Sequence, residues 1–181
     1  MSKSDPQIKI LFVGDMHLGV VPSHIPDHLA ELRQLRSRDL GPQKAWKRVI
    51  DAAVEHKVHA VALAGDLVEG NNALFEAYGL LEAGLRRLEA AGIPVVAVAG
   101  NHDTEALPRL AKMIDSLHLL GPGGTWSHHL VDGDGDLKVR LTGWSFPRPH
   151  VSTTPLPAPP ADPHHVTFGL LHGDLDQSTS S

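Results

Sequence analysis

Three short apolar runs, Ile8–Val13, His59–Ala64 and Pro94–Ala99, each have strand length and each stop at a glycine followed by a polar residue. The stops read Gly14-Asp15, Gly65-Asp66 and Gly100-Asn101, and a fourth run, Val166–Leu171, stops at His172-Gly173. Runs that are apolar nearly throughout, with Lys9 inside the first, rather than on alternate residues, suit strands covered on both faces. Between them lie helical patterns. Gly41-Pro42 offers a helix start with proline in the first turn, Trp46, Val49, Ile50 and Ala53 recur at helical spacing, and the helix should end near Lys57. Leu74, Tyr78, Leu81, Leu85 and Leu88 form a second apolar stripe, closed by Ala91-Gly92, with Glu82 and Arg86 paired on its outer face. A third helix is expected over Leu107–Leu117. Strands and helices in strict alternation predict a parallel sheet covered by helices.

The pattern then changes. Thr125–Val131 and Leu137–Phe146 read as an antiparallel hairpin around Asp132-Gly133-Asp134-Gly135-Asp136. The Asp-Gly alternation resembles a calcium loop, but the position that needs a bidentate Glu is Gly143, so a turn is expected. Residues 147–163 hold seven of the 14 prolines and read as an extended surface loop. No internal repeat is visible. The 181 residues are enough for one domain with its own core, and a single domain over 1–181 is expected.

Composition removes several classes of chemistry. The chain has no cysteine, which excludes disulfides, thiolate metal sites and cysteine nucleophiles, so any metal must be held by His, Asp, Glu or Asn. The polar N-terminus lacks the pattern of a signal peptide, and no apolar run approaches membrane-spanning length; a cytoplasmic address without membrane attachment follows as the default. A net charge of -5 argues against coating nucleic acid by bulk positive charge. One stretch differs: Glu31–Arg48 holds six basic residues and two acidic ones. Most of the 13 histidines, including His150 and the pairs His128/His129 and His164/His165, are expected in loops or at strand edges, exposed to solvent.

The carboxyl ends of parallel strands lie along one edge, so residues remote in sequence converge there. Asp15 and His17, Asp66, Asn101 and His102, and His172 all stand at such ends. One polar strand end is usually a turn or a helix cap; four on one edge point to a site. Oxygen and imidazole donors without sulfur suit Mn, Fe or Zn. Two ions held roughly 3.5 to 4 Å apart by a shared carboxylate acidify a water and clamp the oxygens of a phosphoryl displacement, so phosphate ester hydrolysis is the natural reaction.

Asp15-x-His17, Gly65-Asp66, Gly100-Asn101-His102-Asp103 and the apolar-His172-Gly173 ending resemble, in order, the first four motifs of the calcineurin-like metallophosphoesterases. Within that superfamily, Asp15-Met-His17-Leu-Gly19, the long polar insertion before the first helix and Leu170-Leu171-His172-Gly173-Asp174 look most like the SbcD-type DNA repair exonucleases and the YhaO-like bacterial proteins. The resemblance implies an α/β fold, a metallophosphoesterase-type sandwich of mixed β-sheets flanked by helices. It implies two divalent ions, manganese first and iron or zinc as alternatives. Asp15 and His17 would bind the first, Asp66 would bridge, and Asn101 and His172 would bind the second. His102 would stabilise charge or protonate the leaving oxygen. Glu69 falls where the family often has an Asp or His that assists catalysis; Glu is a departure, and a helix-capping acid is the plain alternative. Asp103 is expected only to hydrogen-bond backbone.

A larger departure is the family's fifth motif, Gly-His-x-His, which the chain lacks; an N-terminal portion of a longer protein is therefore expected, with weak metal binding and little hydrolysis by these residues alone. The implied partners are DNA, with Arg33, Arg36 and Arg38 as candidate phosphate contacts, and an SbcC-like ATPase; a homodimer is left open. Two other readings stand beside a DNA exonuclease. One is a small-molecule phosphodiesterase or pyrophosphatase, and the other is a DNA-binding or assembly module with an incomplete, inactive centre.

Overall fold

The computed structural model describes residues 5–20, 41–70, 74–151 and 163–173. Its first half alternates β1 (Ile10–Val13), α1 (Pro42–Glu55), β2 (Ala60–Ala64), α2 (Leu74–Ala90), β3 (Val95–Val98), α3 (Ala106–Met113) and β4 (Leu117–Leu119). The four strands form one parallel sheet in sequence order, β1-β2-β3-β4. The second half, β5 (Trp126–Asp132), β6 (Lys138–Trp144) and β7 (Val166–Leu171), forms a second sheet in the order β5-β6-β7. β5 and β6 are antiparallel, whereas β6 and β7 run parallel. The fold is thus mixed α/β, with helices on one face of the first sheet and the second sheet on the other.

Side-chain alternation along β2 and β3 builds both cores. Val61, Leu63, Val95 and Ala97 face the helices, where they pack with Trp46, Ile50, Leu81, Leu85, Leu88, Leu107 and Leu110. Ala60, Ala62, Val96 and Val98 face the other way and meet Val131, Val139, Leu141 and Leu170 of the second sheet. Trp46 is nearly fully buried yet satisfied, because its indole N–H donates to the Leu80 carbonyl at 3.1 Å and so pins α1 against α2. At surface sites, Arg86 donates to Glu82 at 2.8 Å as the helical spacing predicted.

Three expectations are corrected. The helix expected over Leu107–Leu117 stops at Met113: Ile114 is already extended, and Leu117–Leu119 joins β3 as the fourth parallel strand. A three-residue strand is too short to display a period, so its apolar residues read as more helix. The last strand does not extend the first sheet; it pairs with β6 in the second. Third, His128 is exposed on the edge strand β5 as expected, but His129 is half-buried, stacked on His118 of β4 with ring centroids 4.7 Å apart.

The Asp-Gly segment is a turn, as expected. Asp132 pairs with Lys138, and Asp134 accepts the Gln7 backbone N–H at 3.1 Å, tying the start of the chain to the hairpin. Among the described residues, no helix is long and apolar enough to cross a membrane.

Candidate metal centre

Asp15 and His17 follow β1, Asp66 and Glu69 follow β2, Asn101 and His102 follow β3, and His172 follows β7. The segments after β1 and β2 stay in register beyond the strands. Asp15 N–H donates to the Gly65 carbonyl at 3.2 Å, His17 N–H to the Asp66 carbonyl at 2.9 Å and Leu18 N–H to the Leu67 carbonyl at 2.8 Å. Met16 and Leu18 turn into the core, leaving Asp15 and His17 facing outward. Asp15, His17 and Asp66 all sit at positive φ, 53°, 45° and 51°. A non-glycine residue there is strained, and such strain persists only where surrounding contacts hold it, as they commonly do at functional sites.

Asp66 is buried, with 3% of its surface exposed. Its Oδ1 accepts the His102 backbone N–H at 3.0 Å, and its Oδ2 lies 3.2 Å from His172 Nε2. His172 Nδ1 lies 3.1 Å from the Ala64 carbonyl oxygen. A carbonyl can only accept, so Nδ1 carries a proton, and in the neutral ring Nε2 presents a lone pair. That lone pair faces Asp66 Oδ2 and, at 3.2 Å, Asn101 Oδ1. Three electron-rich atoms thus converge without a proton to share, which is the donor arrangement a divalent cation satisfies. Asp15 joins them: one donor atom each from Asp15, Asp66 and His172 lies within 4.8 Å of the others.

Close backbone approach makes the cluster possible. A Cβ at Gly65 would stand 2.5 Å from His172 Cβ, and one at Gly100 would stand 2.2 Å from Asp66 Oδ1. Both positions therefore require glycine.

His17, Glu69 and His102 form the second donor group, again within 4.8 Å. Here the sequence-implied grouping and the observed one differ. His17 was implied beside Asp15 and Asp66, whereas its Nδ1 lies 2.5 Å from Glu69 Oε2; His102 Nδ1 lies 2.8 Å from Glu69 Oε1. Burial opposes the Glu69 charge, but the hydrogen bonds from His102 and His17 prevail and hold its carboxyl below the usual range. The same Glu69 hydrogen bond raises the His102 imidazole above its ordinary value. Both Glu69 carboxylate oxygens are engaged by imidazoles, and Gly70 after it is in the left-handed region, φ 61°. No signal in the sequence marks its contact with two imidazoles, because the three residues come from three separate loops.

Asp103 is fully buried and binds backbone alone, as its place in the sequence suggested. It accepts N–H groups from Leu67 at 2.8 Å, Gly100 at 2.7 Å and Val68 at 3.4 Å, so it ties the loop after β2 to the loop after β3. Burial pushes its carboxyl up to about 6, against the pull of those donors. Arg33, Arg36 and Arg38 lie outside the described residues.

The calcineurin-like phosphoesterase family profile matches residues 8–179, and the chain belongs to that family. It is 34% identical over 119 residues to the DNA double-strand break repair protein Mre11 of Methanosarcina mazei, covering 65% of this chain and 17% of that protein. It is 35% identical over 114 residues to the Mre11 of Haloferax volcanii, covering 62% of this chain and 23% of the relative. The chain thus spans about a fifth of the length of these relatives. A third relative is the probable inactive purple acid phosphatase 28 of Arabidopsis thaliana, 30% identical over 156 residues, with 78% of this chain and 38% of that protein covered. Among solved structures, a dimetal phosphatase from Danio rerio is similar with a TM-score of 0.49 and 18% identity, over 78% of this chain and 45% of that one.

Proposed function

We propose that this chain carries the centre of a manganese-dependent DNA exonuclease of the SbcD type, acting in the cytoplasm. The observation that carries the reading is the convergence of His172 Nε2, Asn101 Oδ1 and Asp66 Oδ2, each oxygen 3.2 Å from the nitrogen, beside Asp15. Asp15, Asp66, Asn101 and His172 would hold divalent ions, with His17 as a further ligand. Two ions bound there would supply Lewis acidity, lowering the pKa of a water and neutralising charge that develops on the phosphate. The buried Asp66 would supply negative charge to the bound ions. His102, whose side chain is 44% exposed, faces an incoming phosphodiester and donates a proton toward the leaving oxygen.

DNA as substrate is supported by the relatives named for double-strand break repair. An ATPase partner of the SbcC kind belongs to the same proposal. The purple acid phosphatase relative, named inactive, favours a second reading: a phosphoesterase fold with an incomplete centre. Hydrolysis of single- and double-stranded DNA beside a panel of small phosphodiesters, with Mn, Mg and Zn compared, tests both. Metal-stimulated degradation of DNA ends supports the proposal; salt-dependent DNA binding without hydrolysis on any substrate supports the second reading.

A further inference from the structure

A cleft of about 490 Å³ opens where α3 and β4 meet β5, the edge strand of the second sheet. None of its lining residues belongs to either donor group of the metal centre. Pro108, Ala111 and Pro122 contribute apolar wall, and Lys112, His118, His128 and His129 contribute the ionisable groups. No carboxylate among the described residues lines it, although the chain as a whole carries a net charge of -5. Two neighbouring clefts, of about 560 and 360 Å³, are both lined by Glu89 and Asp115. That contrast sets the first cleft apart.

Its polar groups are suited to donate. Arg140 Nη2 lies 3.0 Å from His128 Nδ1, and a guanidinium can only donate, so the neutral His128 ring keeps its proton on Nε2. Ser127, which also lines the cleft, accepts the Gly121 N–H on Oγ at 2.7 Å and retains its hydroxyl hydrogen. The stacked rings of His118 and His129 have planes only 23° apart. Imidazole lone pairs lie in the ring plane, so two nearly parallel rings direct them side by side rather than at one ion, which disfavours chelation of a metal. Burial, and then the charge of His118, hold the His129 imidazole below its ordinary value, and a bound anion would offset that repulsion.

We propose that this cleft binds an organic phosphate monoester, its anionic group held by Lys112 and the imidazoles and its apolar body lying against Pro108, Ala111 and Pro122. The volume falls within the range of roughly 300 to 1,000 Å³ typical of small-molecule sites, which set a few polar groups in apolar walls. A phosphate suits the site better than a carboxylate, because its three acceptor oxygens can meet donors arriving from α3, β4 and β5 together. The inference does not rest on the metal centre.

The test titrates the full chain with deoxyadenosine monophosphate in the presence of a chelator, beside deoxyadenosine and inorganic phosphate. The ring protons of His118 and His129 are expected to shift in NMR spectra as the monophosphate saturates the protein, with both controls binding more weakly. Lys112 and His118 are exposed, so Lys112→Gln and His118→Gln are expected to keep the thermal transition. Each should weaken binding of the monophosphate at least about tenfold, the worth of one hydrogen bond to a charged group. No saturable binding of the monophosphate to the wild type, or binding that leaves both histidine signals in place, overturns the proposal whatever the variants do. So does wild-type affinity in both variants. Deoxyadenosine binding as tightly as its monophosphate would refute recognition of the phosphate, and inorganic phosphate binding as tightly would refute a role for the apolar wall.

Discussion

His172 Nδ1 lies 3.1 Å from the carbonyl oxygen of Ala64. Ala64 closes β2 in the first sheet and His172 follows β7 in the second, so this hydrogen bond helps join the two sheets at the candidate site. That bond also selects the lone-pair nitrogen that faces Asp66 and Asn101. The geometry of the centre therefore depends on how the sheets stack, and the predictions below probe that dependence.

Asp66→Asn should leave the fold intact, since an amide oxygen can still accept the His102 N–H that Asp66 Oδ1 now accepts at 3.0 Å. It should weaken Mn binding by at least about 100-fold, because the charge shared between both metal positions is gone. Calorimetric titration beside a thermal melt checks this, with any diester hydrolysis expected to disappear in parallel. Wild-type affinity in the variant would remove Asp66 from the metal centre.

Gly100→Ala places a methyl carbon 2.2 Å from Asp66 Oδ1 and 2.7 Å from the Asp66 backbone nitrogen, neither of which can withdraw without moving the loop. The variant should lose about 1–3 kcal/mol of stability, the range of overpacking changes, and should bind Mn more weakly than wild type. Urea denaturation and metal titration read the two effects separately. A variant with unchanged stability and affinity would show that the approach of the two loops is looser than described.

Asp103→Asn replaces an all-acceptor carboxylate by a group with one amide NH2, which must then face a backbone N–H from Gly100 or Leu67. The expected loss is about 1–3 kcal/mol, the cost of leaving buried polar groups unpaired. Equilibrium denaturation measures it; a neutral substitution would mean that the two loops are held by other contacts.

Stability should also fall in mild acid through His129. Burial, followed by the charge of His118, holds its imidazole below the usual value near 6.5. The folded protein therefore binds this proton less readily than the unfolded chain. Its contribution is complete above about pH 6.5 and is lost as the pH falls through that value toward the lowered folded-state one. Denaturation midpoints at pH 8 and pH 5 should differ less in His129→Gln than in the wild type. An identical pH dependence in both would exclude the stacked pair as its source.

Replacing Arg33, Arg36 and Arg38 together by Gln tests the DNA reading. If each contacts a phosphate, the slope of log affinity against log salt should flatten by about 2 to 3, while hydrolysis of a small diester stays near wild type. Equal losses on both substrates, or none on either, would count against a DNA-binding role.

The strands that position the site were legible because their signals are local. Ile10–Val13, Ala60–Ala64 and Val95–Val98 are apolar runs that end in glycine and a polar residue, and the helices between them carry stripes read over a few turns. Their parallel order follows from the alternation itself, which is why Asp15, Asp66 and Asn101 could be assigned to one edge from the sequence. Three features depended on contacts that leave no local pattern. β4 is too short to show a period. β7 is as apolar as a strand of the first sheet, and only its hydrogen bonds to β6 decide that it belongs to the second. The meeting of Glu69 with His17 and His102 is set by which loops lie side by side. The sequence by itself determined the donors and the strand ends that bear them; the tertiary structure decided which donors face one another, because that follows from long-range pairing and sheet stacking rather than from neighbours along the chain.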